Sequence, residues 1–120
     1  MSEHLLQIAT ADYLRHALPP SALFFHVPNG ELRTKRTASK LKAYGVMPGV
    51  PDIIVIYQNK VVGIELKAPK GRVSPEQKHV GAMIIAHGFA WGVARSLDDV
   101  EALLGDIPLR ASCLKPANAA

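Results

Sequence analysis

Two periods of apolar and polar positions run along this chain and predict its elements. Over residues 3–18, Leu6, Thr10, Tyr13, Leu14 and Ala17 recur at intervals of three and four, the spacing of one helix face, with Ser2 placed as N-cap and Pro19-Pro20 as the stop. Residues 23–27 are a short apolar run ended by Pro28-Asn29-Gly30, a strand followed by a turn. Residues 34–44 suit a basic helix, with Gly45 as its C-terminal cap. Met47-Pro48-Gly49-Val50-Pro51 then forms a rigid approach without regular structure. Residues 52–58 and 61–68 are β-rich, and Asn59-Lys60 between them is read as a tight turn. Ser74 caps a helix with Pro75 at its first position, running to about His87 and ending at Gly88. A strand over 89–95 and a short helix over 97–104, introduced by Ser96, complete the order. The expectation is one α/β domain over residues 1–107, a mixed sheet flanked by helices in the order α-β-α-β-β-α-β-α. Residues 108–120, rich in Ala and Pro, are expected to be a loosely held tail.

Alternation within the hairpin predicts what each face carries. With a two-residue loop at Asn59-Lys60, Gln58 pairs with Val61, Ile54 stands opposite Glu65, and Asp52 opposite Lys67. Residues two apart on a strand, and residues directly opposed, share a face. Asp52, Glu65 and Lys67 therefore project from one side, and Ile53, Val55, Tyr57, Val62, Ile64 and Leu66 from the other. Only an even loop gathers that apolar set, which supports the register.

Composition narrows the class. The chain has 120 residues, 48% hydrophobic and 20% charged, which fits a single domain and leaves no room for two. Cys113 is alone, so a disulfide scaffold is excluded. The apolar runs at 53–57 and 82–86 are far short of the ~20 residues a transmembrane helix needs. Met1-Ser2-Glu3-His4 lacks the basic flank and cleavage site of a signal peptide, so a cytoplasmic, intracellular protein is expected, with no membrane partner. Lys+Arg exceed Asp+Glu by 14 to 10, and nine of the fourteen basic residues fall in two windows. The first holds Arg33, Lys35, Arg36, Lys40 and Lys42; the second holds Lys67, Lys70, Arg72 and Lys78. Such segregation gives one face that attracts phosphates.

Two carboxylates and an ammonium converging on one face are costly unless they bind something. Asp52 and Glu65 can meet on one small cation. Mg²⁺ is the natural choice, because it favours hard oxygen ligands and keeps waters that a phosphate can displace. Lys67 then holds a nucleophilic water or neutralises charge on the attacked phosphate. The plainer alternative is a surface Asp–Lys pair with Glu65 solvated.

Pro51-Asp52, twelve intervening residues, then Glu65-Leu66-Lys67 resembles the signature of the PD-(D/E)XK nuclease superfamily. The wider pattern resembles its VRR-NUC branch, the virus-type replication-repair nuclease domain. It includes Glu3 and Gln7 on the first helix, Asn29-Gly30, Gly49-Val50-Pro51-Asp52, Ser74-Pro75-Glu76-Gln77, and Gly88 before the final strand. The resemblance implies a restriction-endonuclease-like fold. It also implies that Asp52 and Glu65 bind the metal with the main-chain carbonyl of Leu66, and that Lys67 assists the attacking water. Gln77 would support the site, holding Lys67 or a phosphate, and Glu3 would complete the metal shell, with Gln7 as its companion.

The expected function is a Mg²⁺-dependent DNA endonuclease, with Mn²⁺ as a substitute, acting on branched DNA in replication, repair or recombination. Resemblance to Holliday-junction resolvases implies a homodimer, and no small-molecule cofactor is expected. A non-catalytic nucleic-acid-binding module of the same fold, or a restriction-type or RNA-processing nuclease, stands as the alternative. Candidate phosphate contacts are Asn29, Arg33, Lys35, Arg36, Lys40, Lys42, Lys70 and Arg72. The five histidines show no zinc spacing and are read as ordinary, with His26 and His4 as outside candidates for a phosphate. Cys113 is read as inert, and Trp91 and Phe89 as core.

Overall fold

The computed structural model describes residues 1–28 and 35–113. Its first element is a helix, α1 (Glu3–Ala17), capped by Ser2, whose Oγ accepts from the Leu5 N–H at 3.1 Å. The predicted face is the buried one: Leu6, Thr10, Leu14 and Ala17 point inward. Strand β1 (Leu23–His26) follows, then the basic helix α2 (Lys35–Ala43), none of whose residues is buried. The hairpin is β2 (Ile53–Tyr57) and β3 (Lys60–Leu66). Helix α3 (Pro75–Ala86), strand β4 (Ala90–Ala94) and helix α4 (Leu97–Leu104) complete the order expected from the sequence.

The four strands form one mixed sheet in the order β1-β2-β3-β4, antiparallel except for the parallel β3–β4 pair. On one face, Ile53, Val55, Val62, Ile64 and Leu66 pack against Leu6, Leu14 and Leu18 of the first helical segment and Val100 and Leu104 of α4. Each such side chain, fully buried, contributes about 1.5–3 kcal/mol. The other face of β3 and β4 is covered by α3, where Gly81 lies so close to the Trp91 indole that a Cβ would stand 2.3 Å from it. Trp91 is thus packed as expected, but Phe89 precedes β4 and is 40% exposed, so it is not core.

The hairpin turn differs from the expected one. Tyr57 pairs with Lys60, so the turn is Gln58-Asn59, and Gln58 adopts a φ of 54°. Ile53 stands opposite Ile64 and Val55 opposite Val62. Extending this register sets Asp52 beside Glu65, not beside Lys67. Moving the turn by one residue slides the pairing by two, which leaves every side chain on its predicted face.

The segment after α4 is anchored as far as Cys113, in contrast to a loose tail beginning at residue 108. The Arg110 N–H donates to Ala17 O, its Nε to Leu18 O at 2.7 Å and its Nη2 to Arg15 O. Glu101, nearly buried on α4, accepts from the Tyr13 hydroxyl, the Ser112 hydroxyl and the Cys113 N–H. The Tyr13 bond leads in holding its carboxyl below the usual range, and burial pushes the Cys113 thiol up to about 11. Residues 114–120 lie outside the described residues. Among the described residues, no helix is long and apolar enough to cross a membrane.

Candidate active site

Asp52 sits immediately before β2, where the sheet holds its backbone. Its carbonyl accepts from the Val27 N–H and from His26 Nδ1, both at 2.8 Å. Its carboxylate is held too, with Oδ2 accepting from the Leu66 N–H at 2.7 Å. The aspartate therefore bridges β1 and the end of β3, and its orientation is set by main-chain donors rather than by a mobile partner. Leu66, whose carbonyl the resemblance offers as a further ligand, follows Glu65 at the end of β3 and meets Asp52 through its N–H.

Glu65 lies on β3, between β2 and β4, and is only 1% exposed. One oxygen, Oε1, accepts from Gln77 Nε2 at 2.8 Å and lies 3.8 Å from Lys67 Nζ. The other, Oε2, is buried with no hydrogen-bond partner among the described residues. Burial first, then the Asp52 carboxylate, pushes the Glu65 carboxyl up to about 8; Glu3 adds to the rise and Lys67 opposes it. A buried acceptor without a donor costs about 1–3 kcal/mol, and more when charged. Such a group calls for a proton or a cation.

Gln77 reaches Glu65 because of how α3 begins. Ser74 Oγ accepts from the Gln77 N–H at 3.1 Å, and Gln77 Oε1 accepts from the Ser74 N–H at 2.8 Å, a complete capping box. With its oxygen engaged, the amide turns its nitrogen toward Glu65. Gln77 thus supports the site, as expected of it, and does so by holding the Glu65 carboxylate. The approach segment explains a second sequence feature. Gly49 has a φ of 88°, and a Cβ there would stand 2.5 Å from the Glu76 carbonyl. Glycine lets this segment lie directly against the start of α3, which brings Asp52 and Gln77 to the same cleft.

That cleft, about 410 Å³, is lined by Asp52, Glu65, Lys67 and Gln77, with Glu3 and Glu76 also on its walls. Among the described residues, no three of His, Cys, Asp and Glu gather closely enough to hold a metal ion. Glu3 thus shares the cleft and the electric field of the pair without joining them as a third close ligand, and Gln7 does not line the cleft. The set still fits Mg²⁺, which takes one or two carboxylates and keeps several waters. The unpartnered Glu65 oxygen beside Asp52 supports that fit.

The family model of the VRR-NUC domain matches residues 7–98. The chain belongs to the VRR-NUC domain family. Among solved structures, one described as a VRR_NUC domain protein superposes with a TM-score of 0.71 at 21% identity, covering 89% of this chain and 88% of that one. At that identity the likeness shows the fold. Among curated proteins, none matches. The matched span contains Asp52, Glu65, Lys67 and Gln77, and leaves Glu3 outside.

In this VRR-NUC domain, basic side chains are exposed on α2 and on the loop that follows Lys67. Lys35, Arg36, Lys40 and Lys42 project from α2, with Lys40 Nζ 5.7 Å from the Tyr44 ring centroid. Lys70 and Arg72 are exposed on the loop after Lys67. Asn29 and Arg33 lie outside the described residues. Arg95, which the sequence reading did not single out, shapes that loop: its Nη1 donates to Ala68 O at 2.7 Å, Gly71 O at 2.9 Å and Pro69 O at 3.3 Å. Its partners are main-chain carbonyls, so no side-chain motif signals it. His26, an outside candidate for a phosphate, is exposed and donates its Nδ1 to the Asp52 carbonyl at 2.8 Å.

Proposed function

We propose that this VRR-NUC domain is a divalent-metal-dependent DNA endonuclease acting on branched substrates. The observation that carries the reading is the Glu65 carboxylate, buried beside Asp52 with one oxygen unpartnered, in a cleft that also holds Lys67. Binding alone does not require two acids where a polyanion must approach.

Asp52 and Glu65 would hold Mg²⁺, with Mn²⁺ as a substitute. Bound there, the ion supplies charge neutralisation and lowers the pKa of a coordinated water. The chain's own contribution is orientation. The Leu66 N–H aims Asp52, Gln77 aims Glu65, and Lys67 presents its ammonium where it orients the attacking water or offsets charge growing on the phosphate. Attack of the water oxygen on phosphorus in line with the 3′ oxygen breaks the P–O3′ bond, leaving a 5′-phosphate and a 3′-hydroxyl. Lys70, Arg72 and the α2 cations would track the backbone of the DNA. The same reading includes a two-fold homodimer, for which β1, a sheet edge exposing Leu23 and Phe25, offers an apolar surface.

The test is a cleavage panel of four-way junction, flap, linear duplex, single strand and RNA, with Mg²⁺ or Mn²⁺, alongside light scattering for subunit count. Asp52→Asn is the control, since an amide oxygen can still accept from the Leu66 N–H. Cleavage of branched DNA by the wild type alone supports the reading. Preference for linear duplex or RNA assigns the restriction-type or RNA-processing alternative, and no cleavage anywhere assigns a binding module.

A further inference from the structure

A second groove adjoins the carboxylate cleft and differs from it in chemistry. It encloses about 520 Å³ between the approach segment and α3. Its walls are apolar: Met47 and Pro48 on one side, Pro75, Val80 and Met83 on the other. Glu76 and His79 supply its polar edge. Pro48 and Glu76 line both spaces, so groove and cleft share a wall and lie side by side. Met47 is 51% exposed and Met83 45%, a large amount of apolar side chain to leave in water beside a charged cleft.

The pairing of a polar cleft with an apolar slot mirrors the two ends of a nucleotide. A phosphate suits the cleft. A nucleobase, with flat apolar faces and a polar edge, suits the slot. Thioethers contact aromatic rings favourably and adapt to their outline, so such walls tolerate any base. The Glu76 carboxylate at the rim can accept from an exocyclic amine of cytosine or adenine. A base stacked inside a duplex cannot enter, whereas an unpaired one pays little to leave its neighbours.

We propose that this groove receives one unpaired nucleobase of the substrate strand, next to the phosphate placed at Asp52, Glu65 and Lys67. The proposal rests on the nuclease reading and would make unpaired nucleotides the feature by which the domain selects branched DNA.

The test compares a forked DNA with the same fork carrying abasic sites at its unpaired positions. Binding is measured by fluorescence anisotropy in EDTA. Wild type is expected to bind the intact fork about five- to tenfold more tightly, the scale of one base contact. A Met47→Ser, Met83→Ser protein is expected to bind both forks within about twofold, and to bind fully paired duplex as wild type does. Both residues are exposed, and a thermal melt checks that the variant is folded.

Discrimination that survives in the variant, or is missing in wild type, overturns the proposal. So does a change in subunit count with discrimination intact, which would assign the groove to a second copy of the chain. Cleavage of the forks with Mg²⁺ is assayed in parallel. Discrimination without cleavage by wild type leaves the groove standing and removes the nuclease reading. Cleavage without discrimination removes the groove alone.

Discussion

Gln77 ties the start of α3 to the buried carboxylate of Glu65: its Nε2 donates to Glu65 Oε1 at 2.8 Å while its own Oε1 closes the cap on the Ser74 N–H. One side chain thereby sets both where a helix begins and how an acid is aimed. Gln77→Glu keeps an N3 residue able to close the capping box, but replaces the donor to Glu65 with a like charge. Cleavage should fall about 10- to 100-fold, the usual cost of losing a partner that orients a metal ligand. Far-UV circular dichroism should be unchanged. Gln77→Ala should additionally lower stability by about 1 kcal/mol through the lost cap, read from denaturant unfolding.

Glu65 should make the metal-free protein less stable as pH rises. Its carboxyl in the folded protein is pushed up to about 8 from an ordinary value of 4.5, so the folded state keeps a proton that the unfolded chain releases. That contribution is complete below about 4.5 and is lost as pH rises through about 8. Glu65→Gln removes the titration. In EDTA at pH 8 the variant should melt well above wild type, and the gap should close toward pH 4.5. Added Mg²⁺ should raise the melting temperature of wild type only.

Gly49→Ala should destabilise the fold by about 2 kcal/mol or more, because it combines a positive φ with a clash against helix backbone. The Cβ would stand 2.5 Å from both the carbon and the oxygen of the Glu76 carbonyl, atoms that cannot move aside without shifting α3. Denaturant unfolding measures the loss. Gly88→Ala is a useful comparison, since Gly88 also has a positive φ but its Cβ would meet nothing within 4 Å. The smaller cost expected there isolates the steric part.

Lys70 and Arg72 are expected to contact phosphates directly, and Arg95 to act by shaping the loop that carries them. Replacing Lys70 and Arg72 by Ala should weaken DNA binding and lower the slope of log K against log salt by about 2. Arg95→Ala should weaken binding with the slope unchanged. Anisotropy titrations across a salt series separate the two.

The hairpin was legible because alternation reports faces. Asp52, Glu65 and Lys67 share a side in any even register, so their convergence does not depend on which residues form the turn. The position of the turn itself was invisible: Asn59-Lys60 has the better turn composition, and nothing in the pattern announces that Gln58 takes a φ of 54°. Ser74 and Gln77 were legible as a helix start, but a capping signature does not say which distant side chain the second end of the glutamine will meet. Arg95 left no signature, since its guanidinium contacts are to main-chain carbonyls. The anchoring of residues 108–113 was hidden for a related reason. Ala- and Pro-rich composition suggested a free tail, while the burial of Glu101 that fastens Ser112 and Cys113 is a tertiary fact.

The central claim is that Asp52 and Glu65 form a divalent-cation site, and a Mn²⁺ titration followed by electron paramagnetic resonance tests it most directly. Wild type should bind Mn²⁺ at a site whose affinity falls at least about tenfold in both Asp52→Asn and Glu65→Gln. Absence of Mn²⁺ binding in wild type, or equal binding in all three proteins, would contradict the account.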